Sequence, residues 1–337
     1  MSNAEPNIKI GSINDLIAVA PCLVGYAPDH QLVILGVDEP TRQMTLAICA
    51  ELPQIGRTHS RAHVEELREK LLTRPVTAAY LLAYGTGSEA TPTVDAVRTE
   101  LTGHGIRVLD ALRIADGRYW SYLDTTPDHG SPEGTPIDSI GSATVMEAAV
   151  AGWVPFRDRS EVAATIAPIG GAARSAMRAA TETAEELVNG ARTVAPDRAT
   201  TDHRTATYRF LPQAADHYSH GEIIDDTRAA LLAIALTDTQ IRDVAITLTA
   251  HGDTRGYLAL WTDLARRVEP DYRVPVLSLL AFAAWRDGGG AMPNIATDAA
   301  LAADPHYTFA GLMRELLRHG IHGPTFDVPQ PGDVIDS

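Results

Sequence analysis

The stretch IADGRYWSYLDTTPDHGSPEGTP, residues 114 to 136, separates two parts of the chain that differ in pattern. Before it, short apolar runs alternate with amphipathic segments; after it, nearly every segment has a helical period. Asp116 and Gly117 join two β-rich runs, and an Asp-Gly pair is a strong hairpin signal because a type I′ turn needs positive φ. The stretch is therefore predicted to hold the last hairpin of a sheet and a proline- and glycine-rich crossover loop.

The residues before this stretch predict a mixed sheet. Strands are predicted at residues 31–37, 43–50, 77–84 and 106–114, and helices at 13–19, 60–72 and 92–101. Strands joined by a tight turn run antiparallel, whereas parallel neighbours need a crossover, usually a helix. With residues 1–4 set aside as an expression scar, residues 5–136 are predicted to form a mixed α/β sheet domain.

The residues after the stretch predict helices. From Ala143 the apolar residues recur with a period near 3.6, and helices are predicted at 161–167, 172–188, 222–236, 239–251, 256–267, 274–285, 293–303 and 307–319. The polar stretch 191–207 is predicted to be a linker. The whole is an α/β (α+β) fold: a sheet domain, an all-α domain at 137–325 packed on it, and a loose acidic tail at 326–337.

Composition narrows the class of protein. The 337 residues include 43 acidic and 28 basic ones, and the formal net charge of −15 disfavours nucleic acid as a partner. No apolar run approaches the roughly 18 residues of a membrane helix. Two cysteines, Cys22 and Cys49, are too few for a disulfide framework. We expect a cytoplasmic protein without a membrane partner or a cofactor, and the oligomeric state stays open.

Residues 283 to 307, AAWRDGGG…DAALAADPHY, resemble the helix-turn-helix repeat of tetratricopeptide proteins. One such repeat is present, whereas about three are needed for an independent solenoid. The segment is interpreted either as a helical hairpin packed inside a larger helical layer or as part of a peptide-binding groove.

Several motifs in order carry a resemblance to a family. GYAPDHQLVILG, GRYWSYL, SPEGTP, IRDVA and LLAFAAWRDGGG…ALAADP follow one another between about residues 10 and 319. This order resembles the actinobacterial family named domain of unknown function 4192. The resemblance implies a bacterial cytoplasmic protein with an α/β part followed by helices, and it implies no activity. Many relatives carry cysteines between the Trp-Ser-Tyr strand and the Glu-Gly motif. In this chain the interval is DTTPDHGS and has no cysteine, so no metal role is carried over.

The crossover loop holds the main candidate site. Arg118, Trp120, Tyr122 and Glu133 offer a guanidinium, two aromatic walls and a carboxylate, the mixture expected of a ligand pocket. The alternative is a buried Arg–Glu pair that fixes the loop, with the aromatic rings filling the interface. If Glu133 is buried in such a pair, its loss should cost about 3–5 kcal/mol of stability.

Other candidates are weaker. His59 and His63 stand four apart on a predicted helix, with Glu66 nearby, which is the spacing of a metal pair. No third ligand follows at a recognisable spacing, which favours a solvated helix face. Gly170 and Gly171 precede a helix and could present amides to an anion or simply begin the helix. Asp243 beside Arg242 in IRDVA could belong to a site or to an ordinary interhelical ion pair. The pairs His217–His220 and His319–His322 are similar to the His59–His63 pair and lie near predicted helix ends.

Two functional hypotheses follow from this sequence. The first is a non-catalytic regulatory or protein-interaction module that binds a protein partner through its helical half. It rests on the repeat-like hairpin, in a chain without a recognised catalytic motif. The second is a small-molecule sensor, or an enzyme of unknown reaction, with its site at the crossover loop.

Overall fold

The computed structural model of the protein describes residues 11–41, 43–53, 61–123, 133–138, 143–150 and 154–335. The chain divides into two compact units, of which the first comprises the residues up to Arg159 with Arg318–Gly320, and the second comprises Ser160–Leu317 with the residues from Ile321 onward. A mixed sheet followed by helices is the predicted architecture, and it is confirmed. The domain boundaries drawn from the sequence after residues 4, 136 and 325 stay predictions.

The first unit holds the sheet. Its strands are β1 Gln31–Asp38, β2 Gln43–Glu51, β3 Ala78–Tyr84, β4 Arg107–Ala115, β5 Arg118–Ser121 and β6 Thr135–Pro136. Its helices are α1 Ile13–Val24, α2 Arg61–Leu72, α3 Gly87–Gly103 and α4 Ala143–Val150. The strand order is β2-β1-β3-β4-β5-β6. β3 and β4 are parallel, and the other neighbours are antiparallel.

The helices α2 and α3 cover one face of the sheet and bury it. Leu67 of α2 and Val94 of α3 belong to one core cluster with Leu32, Ile34 and Leu81 of the strands. Strand residues that point to the opposite face, such as Val33, Leu35 and Leu82, are also fully buried. Burial on both faces explains why these strands read as continuous apolar runs.

The second unit is helical. Its helices are α5 Arg159–Ala164, α6 Gly171–Val194, α7 Pro196–Ser219, α8 Asp226–Ala235, α9 Thr239–His251, α10 Thr254–Arg267, α11 Pro270–Arg286, α12 Met292–Ala303, α13 Thr308–Arg318 and α14 Pro331–Ile335. The first residue of α5 and the last residue of α13 belong to the first unit. The predicted linker at 191–207 is wrong. α6 continues through Asn189 and Gly190 to Val194, and α7 begins directly afterwards with proline at its first position, where a missing N–H costs nothing.

α11 lies at the centre of this unit. All its residues from Pro275 to Trp285 are buried, and it packs against α8, α9, α10 and α12. α11 and α12 pack against each other and are joined by a short turn, in which Gly288 has a φ of +78°. These contacts agree with a hairpin inside a helical layer, and the likeness to a tetratricopeptide repeat stays a prediction.

Arg267 joins three helices of the unit. The side chain is 9% exposed, and its guanidinium donates to Asp226 at 2.8 Å and to the carbonyl of Ile224 at 3.0 Å. It also donates to Asp263 at 2.9 Å through Nε and to the hydroxyl of Tyr218 at 3.1 Å. Burial, together with the Asp263 carboxylate, raises the pKa of Tyr218. The network satisfies a buried cation with charged and neutral acceptors.

Candidate functional site

The predicted hairpin is present and has the predicted geometry. Asp116 and Gly117 have φ of +50° and +71°, as a type I′ turn requires. In the ladder between β4 and β5, Arg113 lies opposite Trp120 and Ala115 lies opposite Arg118. The strand β6, which was not predicted, adds to the outer side of β5.

Trp120 is enclosed by its own chain. The guanidinium carbon of Arg113 lies 3.4 Å from the centre of the indole ring, a cation–π contact. Gly134 lies so close to the same ring that a Cβ there would be 2.4 Å from Cε2. Tyr122, half-buried against the α2–α3 core, shares a 2.9 Å hydrogen bond with the hydroxyl of Thr91. Trp120 therefore packs on the described segment at Gly134, and Tyr122 fixes the end of β5 on α3.

The side chain of Arg118 contacts the backbone of residues 133 and 134. Its Nη1 donates to the carbonyl oxygens of Glu133 at 3.2 Å and of Gly134 at 2.9 Å. The side chain of Glu133 is exposed, so the proposed buried Arg–Glu carboxylate pair is wrong. The loss of 3–5 kcal/mol no longer applies to Glu133, because an exposed carboxylate contributes about 1 kcal/mol or less.

The structure thus brings all four candidates to one edge of the sheet. Arg118 and Trp120 hold the 133–136 segment, Tyr122 holds β5 on α3, and Glu133 is exposed. Residues 124–132, which would complete the loop, lie outside the described residues. A ligand site formed by these four residues stays a prediction.

We expect Gly134→Ala to lower the free energy of unfolding of the first unit by about 3 kcal/mol. The residue has a φ of +71°, which costs a Cβ-bearing residue about 1–2 kcal/mol, and the added Cβ would overlap the Trp120 ring. Gly117→Ala is the matched control, because its φ is also +71° and no atom lies within 4 Å of the new Cβ. Chemical denaturation checks both variants, and equal losses would refute the packing argument.

The metal candidates are only partly described. His59 lies outside the described residues, and Nδ1 of His63 lies 4.0 Å from Glu66, which also pairs with Lys70 at 2.9 Å. In the described ranges no group of three histidine, cysteine or acidic side chains could hold a metal ion. Gly170 is the N-cap of α6.

Arg242 and Asp243 pair with each other on one helix. Their side chains lie 2.6 Å apart, and the Arg242 guanidinium lies 5.8 Å from the ring centres of Tyr307 and Phe309. The pair connects α9 with the start of α13 through the aromatic rings. The ion pair lies within α9, so it is not the interhelical pair that the sequence suggested.

A polar cluster that the sequence did not indicate lies on the sheet. Tyr26 and Cys49 donate to the side-chain oxygen of Gln31 at 2.9 and 3.2 Å, and Gln31 donates to Glu51 at 2.6 Å. Burial raises the pKa of the Cys49 thiol to about 11. The thiol is therefore protonated at neutral pH and acts as a hydrogen-bond donor.

Two concave surfaces of the helical unit were also missed. One is a groove of about 710 Å³ at the turn between α6 and α7. The other is a cavity of about 390 Å³ beside the turn between α9 and α10. The groove lies mostly within the predicted linker, and the cavity combines segments that are far apart in sequence. No residue spacing in the sequence therefore indicated either surface.

The fold and these surfaces define a protein with a mixed α/β sheet unit and a helical unit that carries a groove and a cavity. In the described part of the chain, no helix has both the length and the apolar character to cross a membrane. The chain belongs to the family described as domain of unknown function DUF4192, whose sequence model matches residues 14–323. The family resemblance is thereby confirmed. Neither a curated protein nor a solved structure matches the chain.

Proposed function

We propose that the protein is a non-catalytic interaction module whose helical unit binds an amphipathic helix of a partner protein. The binding surface is the hairpin groove, which we define as the groove between the end of α6 and the start of α7. Its lining residues are Glu186, Leu187, Gly190, Ala191, Val194, Ala195, Arg198, Ala199 and Asp202.

The observation that carries the proposal is the exposed apolar surface of this groove. Leu187 is 60% exposed and Val194 is 86% exposed, although both have large apolar side chains. The groove is also lined by the small residues Gly190, Ala191 and Ala199. Clustered apolar exposure within a polar rim is typical of a protein-binding surface.

The spacing of the lining residues favours a helix as the occupant. Leu187, Ala191 and Val194 recur at intervals of four and three on α6. The same intervals separate the cap residue Ala195 from Ala199 and Asp202 of α7. Each helix therefore presents about two turns of one stripe. An amphipathic helix of a partner can place its apolar ridge between two such stripes.

The charges of the rim favour a basic partner. Arg198 pairs with Asp202 at 3.5 Å, whereas Glu186 has no ion pair among the described residues. The chain as a whole has a net charge of −15, which disfavours a second copy as the occupant and attracts a basic one. We therefore expect lysine or arginine beside the apolar ridge of the partner helix.

The proposal is tested with labelled peptides and fluorescence anisotropy. The probe is a 15-residue peptide with leucine on one helical face and lysine on the other, beside a proline-broken version. We expect the double variant Leu187→Gln with Val194→Gln to bind the helical probe at least about tenfold more weakly than wild type, because two apolar contacts are lost. Leu312→Gln is the matched control, since Leu312 is 54% exposed on α13, away from the groove.

None of these substitutions changes the charge, so general attraction of lysine to an acidic protein affects all variants equally. A groove variant that binds as tightly as wild type would overturn the proposal. Equal binding of the helical and proline-broken probes would overturn the choice of a helix as the occupant.

A further inference from the structure

We infer that the helical unit has a second, separate site that binds a small organic cation, an amine or guanidine with a short apolar part. The site is the cavity of about 390 Å³, here called the α9–α10 cavity. Its lining residues are Pro212, Ala215, Asp216, Leu248, His251, Gly252, Asp253, Tyr257, Gln330 and Pro331. The volume is that of a site for a small molecule, and no lining residue is shared with the hairpin groove.

Tyr257 is the first observation that points to a ligand. Its side chain lines the cavity although the residue is only 2% exposed, and its hydroxyl has no hydrogen-bond partner among the described residues. A phenol hydroxyl can donate one hydrogen bond and can also accept, so this one can bind a polar group that enters the cavity. Burial raises the pKa of Tyr257, which keeps the phenol neutral and able to donate or accept.

Gly252 keeps the ring of Tyr257 accessible. A Cβ at this position would lie 2.7 Å from Cε2 of Tyr257, next to the carbon that carries the hydroxyl. On the inner side, the ring of Trp261 stacks on Tyr257 with centres 6.1 Å apart. The tyrosine is therefore fixed from within and left open toward the cavity.

The charges of the lining select a cation. Asp216 and Asp253 supply two carboxylates, and the remaining titratable lining groups are His251 and Tyr257. Each carboxylate oxygen of Asp253 accepts one backbone N–H at the start of α10, from Arg255 at 3.3 Å and from Gly256 at 3.2 Å. A carboxylate oxygen can accept a second hydrogen bond, so Asp253 can bind an ammonium group while it caps the helix.

His251 is occupied by the C-terminal segment. Its Nε2 lies 3.0 Å from the carbonyl oxygen of Val328 and 3.1 Å from that of Pro329. Carbonyl oxygens only accept, so Nε2 carries the proton and donates. These bonds place Gln330 and Pro331 as one wall of the cavity, where Pro331 can face the apolar part of the ligand.

Calorimetric titration of the full chain with butylamine and with agmatine at 150 mM salt tests the inference, with butanol and butyrate as neutral and anionic controls. We expect the two cations to bind and the two controls not to bind. Asp253→Asn should weaken binding at least about tenfold, because a charged hydrogen bond is lost while asparagine still caps α10. Tyr257→Phe should weaken it about two- to tenfold.

Asp225→Asn is the matched control, because Asp225 caps α8 in the same way and does not line the cavity. It should bind like wild type, and its loss of binding would show that the cations respond to overall charge. Absence of binding by both cations would overturn the inference, as would equal affinity of Tyr257→Phe and wild type. Because Leu187 and Val194 are unchanged in every variant, these outcomes leave the peptide experiment independent.

Discussion

Gly256→Ala should lower the free energy of unfolding of the helical unit by about 3 kcal/mol. A Cβ on this residue would lie 2.2 Å from the carbonyl oxygen of Ala215 and 2.9 Å from its carbon. Both atoms belong to the backbone of α7, so they cannot move aside as a flexible side chain would. Overpacking of this kind costs about 1–3 kcal/mol and sometimes more. Chemical denaturation followed by circular dichroism gives the value.

Gly311→Ala provides the control for Gly256→Ala. Gly311 lies inside α13, and a Cβ there would have no atom within 4 Å. Alanine is the better helix former, so this variant should be more stable than wild type by about 0.5–1 kcal/mol. Opposite signs at the two positions are the expected result. A stabilising effect at Gly256 would mean that α7 and α10 do not cross closely there.

Arg267→Met should destabilise the helical unit by about 3 kcal/mol. The guanidinium is the partner of Asp263 and Asp226, and its removal leaves both carboxylates without their cation. Breaking a buried pair costs about 3–5 kcal/mol. The lower end applies because the side chains of Asp263 and Asp226 are 23% and 38% exposed, so that water partly solvates them.

Two further variants separate charge from packing at Arg267. Arg266→Met removes an exposed arginine next in sequence, and thermal denaturation should show a change within about 0.5 kcal/mol. The double variant Arg267→Met with Asp263→Leu should recover part of the loss, because one of the unpaired carboxylates is removed as well. If Arg267→Met and Arg266→Met are equally stable, the network contributes nothing measurable.

The sequence predicted elements that depend on short-range physics. The hairpin was predicted because Asp116 and Gly117 can adopt positive φ, and they do. Of the four strands before it, β1 and β3 are buried on both faces and read as continuous apolar runs, whereas β2 and β4 are only partly buried and were predicted from shorter apolar stretches. β6 was missed because two residues, Thr135 and Pro136, carry no periodic signal.

Helix ends were predicted less well, because proline and glycine were taken as stops. α1 continues through Pro21 to Val24, and α6 continues through Gly190. The first turns of α7 were taken for a linker, since a solvated helix has no apolar stripe. Hydrophobic periodicity detects a helix by the face that it buries, and this part of α7 buries little.

The candidate site shows the same limit. The sequence placed Arg118, Trp120 and Glu133 near one another, and they are near one another. It could not show that Arg118 binds backbone carbonyls, because those acceptors are not visible in residue types. The α9–α10 cavity was beyond prediction, since residues as distant as Pro212 and Pro331 meet only after folding.

The central position of α11 has a consequence for how the family can diverge. Because α11 is buried along most of its length, a change in the length or position of its neighbours α8, α9, α10 and α12 would leave a cavity beside it. These helices are therefore constrained. The turn between α6 and α7 has no such constraint, and insertions are tolerated where the backbone is exposed. Relatives are therefore expected to keep the same helical body while the turn between α6 and α7 varies in length and composition.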